Sequence, residues 1–316
     1  ICKKIPEVGI NLLKNKGFEV VVNDEDVELN GKELEDVFSK YDAVMTLITN
    51  KVDEKIIKAA SKNLKIISNF AVGFDNLDLK AAQEQGIIVT NTPGTASESV
   101  AEHTFSLIFA LNKMLLEQDT YMREGKYKKW DPNLFLSHQL WGQTIGIIGL
   151  GRSGTFVGQI AYGGVRMKIL YFDMKRAEDF ELIYEAEHKS IHEILKEADI
   201  VSLHVPLTDK TRHLISKEEL KLMKNSAYLI NTARGPLVEE KELIWALKEG
   251  EIKGAGLDVY ENEPDFDKEL AKMKNVILTP HTASATFETR EEMAKIAAQN
   301  IIDVFEGKEP LGLIKS

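Results

Sequence analysis

Short apolar runs rich in β-branched residues alternate with longer amphipathic stretches along the whole chain. That rhythm is the pattern of β-α units feeding a parallel sheet, whose strands are covered on both faces and so read as continuous apolar runs. In the first third, candidate strands at residues 19–22, 43–48, 64–69 and 87–91 are separated by helical patterns such as 53–61 and 78–85, which predicts a small open sheet. The turn cluster Thr92-Pro93-Gly94-Thr95 follows. Thr95-Ala96-Ser97-Glu98 then has the form of a capping box opening a long apolar helix, and the chain is expected to cross between domains there.

Beyond that helix, strands are expected at residues 144–148, 169–172, 200–204, 228–231, 254–258 and 276–278, enough for a doubly wound sheet. A last helix, about 288–305, stops at Gly307 and leads into Pro310, as helix C-termini commonly do. The first sheet lacks a completing helix, so this one is expected to return to it. The fold class is therefore α/β, with two Rossmann-like or flavodoxin-like domains built on doubly wound parallel sheets and a cleft between them. Residues 1–95 with 286–316 form one expected domain and residues 96–285 the other.

Composition narrows the partners. A chain of 316 residues suits two cores of ordinary size. A net charge of −10 argues against nucleic acid or an anionic membrane surface as a partner. The single cysteine, Cys2, offers neither a disulfide nor a metal cage, which suits a reducing, cytoplasmic setting with no metal. The apolar stretch 100–116 is broken by Glu102, His103, Asn112 and Lys113, so it reads as a buried helix, not a membrane span. No charged-then-apolar signal segment opens the chain. It begins at Ile1, and Cys2-Lys3-Lys4-Ile5-Pro6 reads as the exit from a strand whose start is missing, as in a slightly truncated protein. The helix from Ser97 and the segment from Trp130 to Trp141 carry more apolar surface than one domain face needs, which predicts a homodimer.

The glycine pattern Gly149-Leu150-Gly151-Arg152-Ser153-Gly154 is weak on its own but gains meaning from its context, since it follows an apolar strand and opens a helical pattern. In such a turn the first glycine makes the bend, the second lets backbone N–H groups approach a pyrophosphate, and the third lets helix and strand pack closely. Asp173 stands 24 positions after Gly149, at a strand end. Its carboxylate suits both ribose hydroxyls of an adenosine and repels a 2′-phosphate, so NAD is favoured over NADP. Lys175 and Arg176 follow directly and would partly offset that preference.

Ligands of open α/β sheets bind at the carboxyl edge, so the residue after each strand matters. His204-Val205-Pro206 follows one strand, with Pro206 as an apolar wall for adenine. Thr232-Ala233-Arg234-Gly235 follows the next, Asp258 ends a third with Glu263 close behind, and a fourth runs into Thr279-Pro280-His281. Arg234 alone would pass for a surface ion-pair partner, His281 for a loop residue and Glu263 for a turn acid. Together on one rim they suit hydride transfer to a 2-keto acid. Arg234 holds the carboxylate and keto oxygen with its planar fork, and His281 delivers a proton as hydride reaches carbon. Glu263, bonded to the other ring nitrogen, keeps that ring in orientation. The remaining histidines 103, 138, 188, 192 and 213 show no such partners and read as structural.

With these motifs, Gly256-Leu257-Asp258-Val259 and Glu263-Pro264, the chain resembles the D-isomer-specific 2-hydroxyacid dehydrogenase family over essentially its whole length. The resemblance implies that Arg234, Glu263 and His281 are the catalytic trio. It also implies that Asp258 with the backbone near Thr232 and Ala233 holds the nicotinamide carboxamide, that the substrate domain is made of both chain ends, and that the protein is a dimer. In the family a small-domain loop gives N–H groups to the substrate carboxylate; 69–76 looks like that loop, with Val72 and Gly73 as the donors. The cofactor-binding set is thus Gly149, Gly151, Arg152, Ser153, Gly154, Asp173, Pro206, Thr232, Ala233 and Asp258. Pro93-Gly94, the run 100–104 and the run 281–286 are most similar to glyoxylate and hydroxypyruvate reductases. A cofactor-sensing, corepressor-like protein of the same fold is the competing expectation. An S-adenosylmethionine-dependent transferase would leave the Arg234, Glu263 and His281 trio without a purpose.

Overall fold

A computed structural model describes residues 1–25, 27–29 and 31–315 of the chain. It divides into two compact units, one formed by Ile1–Ala96 with Ala285–Ser316 and the other by Ser97–Ser284.

The first unit opens with α1 (Glu7–Asn15) and α2 (Gly31–Lys40), followed by β1 (Ala43–Leu47), α3 (Glu54–Lys58), β2 (Ile66–Phe70), α4 (Leu79–Glu84) and β3 (Ile88–Thr90). The strands pair in parallel in the order β1-β2-β3. Asp53 and Asp78 cap α3 and α4 by accepting the N–H groups of Ile56 and Ala81, a job their short carboxylates do well. Every residue of central β2 is buried, the signature of a strand covered on both faces. Residues 19–22, expected as a strand, form none. Val21 accepts from the Ile1 amino group at 2.9 Å, and the Asn23 N–H donates to the Ile1 carbonyl at 3.0 Å.

The second unit begins with α5 (Ser97–Asn112) and α6 (Leu115–Arg123), separated where Met114 takes a left-handed conformation. Thr95, the expected cap of α5, donates its hydroxyl to the Thr92 carbonyl at 3.1 Å. There follow β4 (Thr144–Ile148), α7 (Arg152–Val165), β5 (Lys168–Phe172), α8 (Glu178–Tyr184), β6 (Glu187–His188), α9 (Ile191–Glu197), β7 (Ile200–Leu203), α10 (Lys217–Leu222), β8 (Tyr228–Asn231), α11 (Glu240–Glu249), β9 (Gly254–Leu257) and β10 (Val276–Leu278). Among the described residues these strands make one seven-stranded sheet in the order β10-β9-β8-β7-β4-β5-β6, parallel throughout. The two-residue β6 is the strand the apolar pattern does not foretell, because both its residues are exposed.

Helices cover the sheet on both sides. One core gathers Ile194, Leu220, Leu243 and Leu247, and another gathers Phe105, Ile108, Val157 and Ala161. The winding reverses at β4, which has β5 on one side and β7 on the other. In such sheets the crevice beyond the strand ends at this reversal is where ligands bind. The last helix, α12 (Phe287–Phe305), is capped by the Thr286 hydroxyl and buries Met293, Ala294, Ala297, Ala298 and Ile301 in the first unit, on β2 and α1. The Ser68 hydroxyl donates to the Ala297 carbonyl at 2.9 Å.

Candidate active site

The glycine turn after β4 is built by backbone. Gly149 has φ +99°, its N–H donates to the Phe172 carbonyl at 2.8 Å, and a Cβ on it would lie 2.6 Å from the His204 carbonyl oxygen. A Cβ on Gly154 would lie 2.1 Å from the Gly149 oxygen. The fold itself therefore demands glycine at both positions. Gly151 differs. A Cβ there would meet no protein atom within 4 Å, and its φ of −70° suits any residue. It is also the N-cap of the 14-residue α7 and supplies no side-chain cap. An open backbone surface in front of uncapped N–H groups and a positive helix end fits a dinucleotide pyrophosphate. Arg152 and Ser153 stand in that first turn. At the end of β5, Asp173 accepts the Leu150 N–H at 2.8 Å and the Lys175 N–H at 3.4 Å, which ties the acid to the glycine turn. Pro206 is exposed beyond β7, its carbonyl accepting from the Thr211 hydroxyl at 2.7 Å.

Two loops bring Glu263 and His281 together. Glu263 sits beyond β9, and one of its carboxylate oxygens accepts the Tyr260 N–H at 2.9 Å. The other accepts from Nδ1 of His281 at 2.7 Å. That leaves Nε2 of the ring facing away from the glutamate. His281 itself lies in the left-handed region at φ +54°, and its N–H donates to the carbonyls of Asp258 at 2.9 Å and Thr279 at 3.1 Å. Tyr260 joins the loops, its hydroxyl donating to the Thr279 carbonyl at 2.8 Å.

Asp258 lies beneath, fully buried. Its carboxylate accepts from the Thr279 hydroxyl at 2.6 Å and from the N–H groups of Thr282 at 2.9 Å and Ala283 at 2.8 Å. His103 on α5 completes the cluster, with Nε2 3.0 Å from the Thr279 hydroxyl and 3.5 Å from Asp258. The Thr279 proton is committed to Asp258, so His103 must be the donor here. Burial alone would raise the Asp258 carboxyl, but the donors from His103, Thr279, Thr282 and Ala283 outweigh it and hold it below the usual range. His103, read from sequence as partnerless, thus belongs to the scaffold of the His281 loop. His213 likewise has a partner, Glu261, at 2.6 Å.

Arg234 follows β8 in a loop shaped by buried Asn231, whose side chain accepts the Ala233 N–H at 3.1 Å and donates to the Arg234 carbonyl at 2.8 Å. Its guanidinium donates to the Ala233 carbonyl at 2.7 Å. Buried Thr232 shares a hydrogen bond of 3.0 Å with Thr104. At Gly235 a Cβ would fall 1.8 Å from the Tyr260 carbonyl oxygen. The arginine loop is thereby pressed against the segment that carries Glu263. In the first unit, Asn69 and Asn91 donate to the carbonyls of Gly73 at 3.0 Å and Val72 at 2.6 Å, which fixes the peptide planes of that loop. No cluster of potential metal ligands and no helix long and apolar enough to cross a membrane occurs among the described residues.

Residues 105–283 match the family model for the D-isomer specific 2-hydroxyacid dehydrogenase, NAD binding domain. Glyoxylate reductase from Pyrococcus furiosus is 43% identical over 318 residues, covering 99% of this chain and 94% of that protein. Among solved structures, the TT0316 protein from Thermus thermophilus superposes with a TM-score of 0.92 at 37% identity, covering 99% of this chain and 98% of that one. An acyclic imino acid reductase in complex with NADPH and D-Arg gives 0.87 at 30% identity, covering 99% and 97%.

Proposed function

Because the chain belongs to the D-isomer-specific 2-hydroxyacid dehydrogenase family, it is a nicotinamide-dependent dehydrogenase that interconverts small 2-hydroxy acids and 2-keto acids, and we propose that it works as an NADH-dependent reductase of glyoxylate, hydroxypyruvate or pyruvate. The observation that carries the residue assignment is the 2.7 Å contact between Glu263 and Nδ1 of His281. It leaves a single ring nitrogen, Nε2, to serve the substrate.

A nicotinamide cofactor, when bound, would supply the hydride. Gly149, Gly151, Arg152, Ser153 and Gly154 would hold the dinucleotide phosphates, Pro206 would form an apolar wall for the adenine, and Thr232, Ala233 and Asp258 would hold the carboxamide end. Asp173 accepts the ribose hydroxyls and disfavours a 2′-phosphate. Arg234 binds the substrate carboxylate and keto oxygen and draws electron density from the carbonyl carbon. Val72 and Gly73 in the first unit carry the backbone N–H groups assigned to bind a carboxylate. Nε2 of His281 gives its proton to the keto oxygen, yielding the D-hydroxy acid, or achiral glycolate from glyoxylate. In the reverse direction the same nitrogen takes the hydroxyl proton. Glu263 keeps the ring aimed through both directions.

The stretch from α6 to β4 exposes Leu115, Leu116, Met122, Trp130, Leu136 and Trp141, and we assign it to a homodimer interface, which light scattering at twice the chain mass would support and at the chain mass would refute. The lone cysteine suits the cytoplasm. The decisive assay follows NADH absorbance across a panel of 2-keto acids. Turnover with the small acids is expected, and none with any acid would leave the cofactor-sensing alternative standing.

A further inference from the structure

β5 and α8 bracket the part of the second unit where an adenosine 2′-substituent would sit. Lys175 and Arg176 follow Asp173, and sequence alone counts both as support for NADP; Arg176 is the one of the two with a planar fork for a phosphate. Its guanidinium is already taken. Nε lies 2.8 and 3.0 Å from the two carboxylate oxygens of Glu181, and a terminal nitrogen lies 2.7 Å from one of them. Glu181 is itself fixed from below: the hydroxyl of fully buried Tyr171 donates to it at 2.6 Å while accepting the Ala177 N–H at 2.7 Å. A fork held on a carboxylate that is 14% exposed and anchored by a buried phenol differs from an ordinary surface ion pair. The Arg176 and Tyr171 bonds also pull the Glu181 carboxyl down to about 2, so it stays ionised at any working pH.

The surroundings repeat the device. Arg176 and Glu181 line a polar hollow of about 610 Å³ with Glu187, His188, Lys189 and Glu193. His188 Nε2 lies 3.1 Å from the carbonyl of Asp173, so this hollow adjoins the acid. Its other cation, Lys189, lies 3.4 Å from Glu187. Three carboxylates thus stand against two cations, both of them paired.

We propose that Glu181 is a specificity-determining residue for the cofactor: by sequestering Arg176 it withholds from a 2′-phosphate a guanidinium that could otherwise bind it. Asp173 repels the phosphate and Glu181 removes its ligand. The inference rests on the NADH reading above, and the two are tested separately.

Isothermal titration of the full chain with 2′,5′-ADP and with ADP measures the adenosine end without turnover. The wild-type ratio of the two affinities tests the NADH reading: tighter binding of ADP supports it, and parity sinks it without touching the proposal. Glu181→Gln keeps an acceptor for Tyr171 but drops the charge. It is expected to tighten 2′,5′-ADP about tenfold, the size of one charge-assisted hydrogen bond, with ADP within about twofold. Arg176→Ala in that background should erase the gain, and Arg176→Ala alone should leave 2′,5′-ADP nearly unchanged. Glu181→Asp, too short to hold the fork, should reproduce the gain in part if the glutamine variant folds poorly. The ratio of kcat/KM for NADPH over NADH should move in step. Absence of any gain in either Glu181 variant overturns the proposal, as does a gain that survives Arg176→Ala.

Discussion

The glycine turn after β4 and the rim beyond β9 and β10 are organised by opposite means. The turn depends on missing side chains: backbone lies against backbone at Gly149 and Gly154, and at Gly151 a surface is kept bare. The rim depends on side chains locked by many donors, with fully buried Asp258 gathering Thr279, Thr282, Ala283 and His103 around itself. A phosphate group needs an approachable array of N–H groups, which backbone supplies without rotamer freedom. A proton donor needs one nitrogen aimed at one atom, which takes a tethered ring.

The contrast can be broken most forcefully at the rim. His281→Ala should lower kcat by about 10²–10⁴-fold, the usual share of general acid catalysis, with NADH binding by fluorescence little changed. A loss under about threefold would mean that another group donates the proton. Next comes a pair within the turn. Gly154→Ala forces a methyl group against the Gly149 oxygen and should destabilise the protein by about 1–3 kcal/mol in urea titration. Gly151→Ala, with open space around it, should cost less than about 0.5 kcal/mol. Yet it should weaken NADH about tenfold by blocking the pyrophosphate. Equal stabilities of the two variants, or unchanged NADH affinity in the second, would remove the distinction drawn between those glycines.

The smallest expected effect concerns His204, which lies between the two regions, 2.8 Å from the Ser202 hydroxyl. Burial pushes its ring from 6.5 down to about 4. The unfolded chain therefore takes up a proton near pH 6.5 that the folded chain refuses until about pH 4, so this group's contribution to stability is lost as pH falls across that window. His204→Gln should flatten the fall of the urea midpoint over that range; an unaltered slope would mean the ring does not control it.

Much of this was legible in the residues because strand ends in a parallel sheet are marked twice, by an apolar run and by the polar residue that ends it. Arg234, Glu263 and His281 could be named that way, as could the six longer strands of the second unit. What escaped lacked one of the two marks. β6 has no apolar residue to announce it. His103 sits inside a helix, where a polar residue reads as solvent-facing; its signal was the spacing to buried Ser99 and Leu107, four residues to either side on one helical face. Glu181 was one of several acids between 178 and 187, and the Tyr171 hydroxyl beneath it and the Arg176 fork upon it distinguish it from the others.

The return of α12 to the first unit bears on how the protein is made. Residues 97–284 form a contiguous stretch whose core can close as soon as it leaves the ribosome, whereas β2 keeps Ile66 and Phe70 uncovered until residues 287–305 emerge. At about 5–20 residues per second the earlier-made half waits on the order of ten seconds or more for its last helix. During that interval its apolar face is a client for chaperones, and a ribosome stalled before α12 would release a chain with one finished unit and one sticky one.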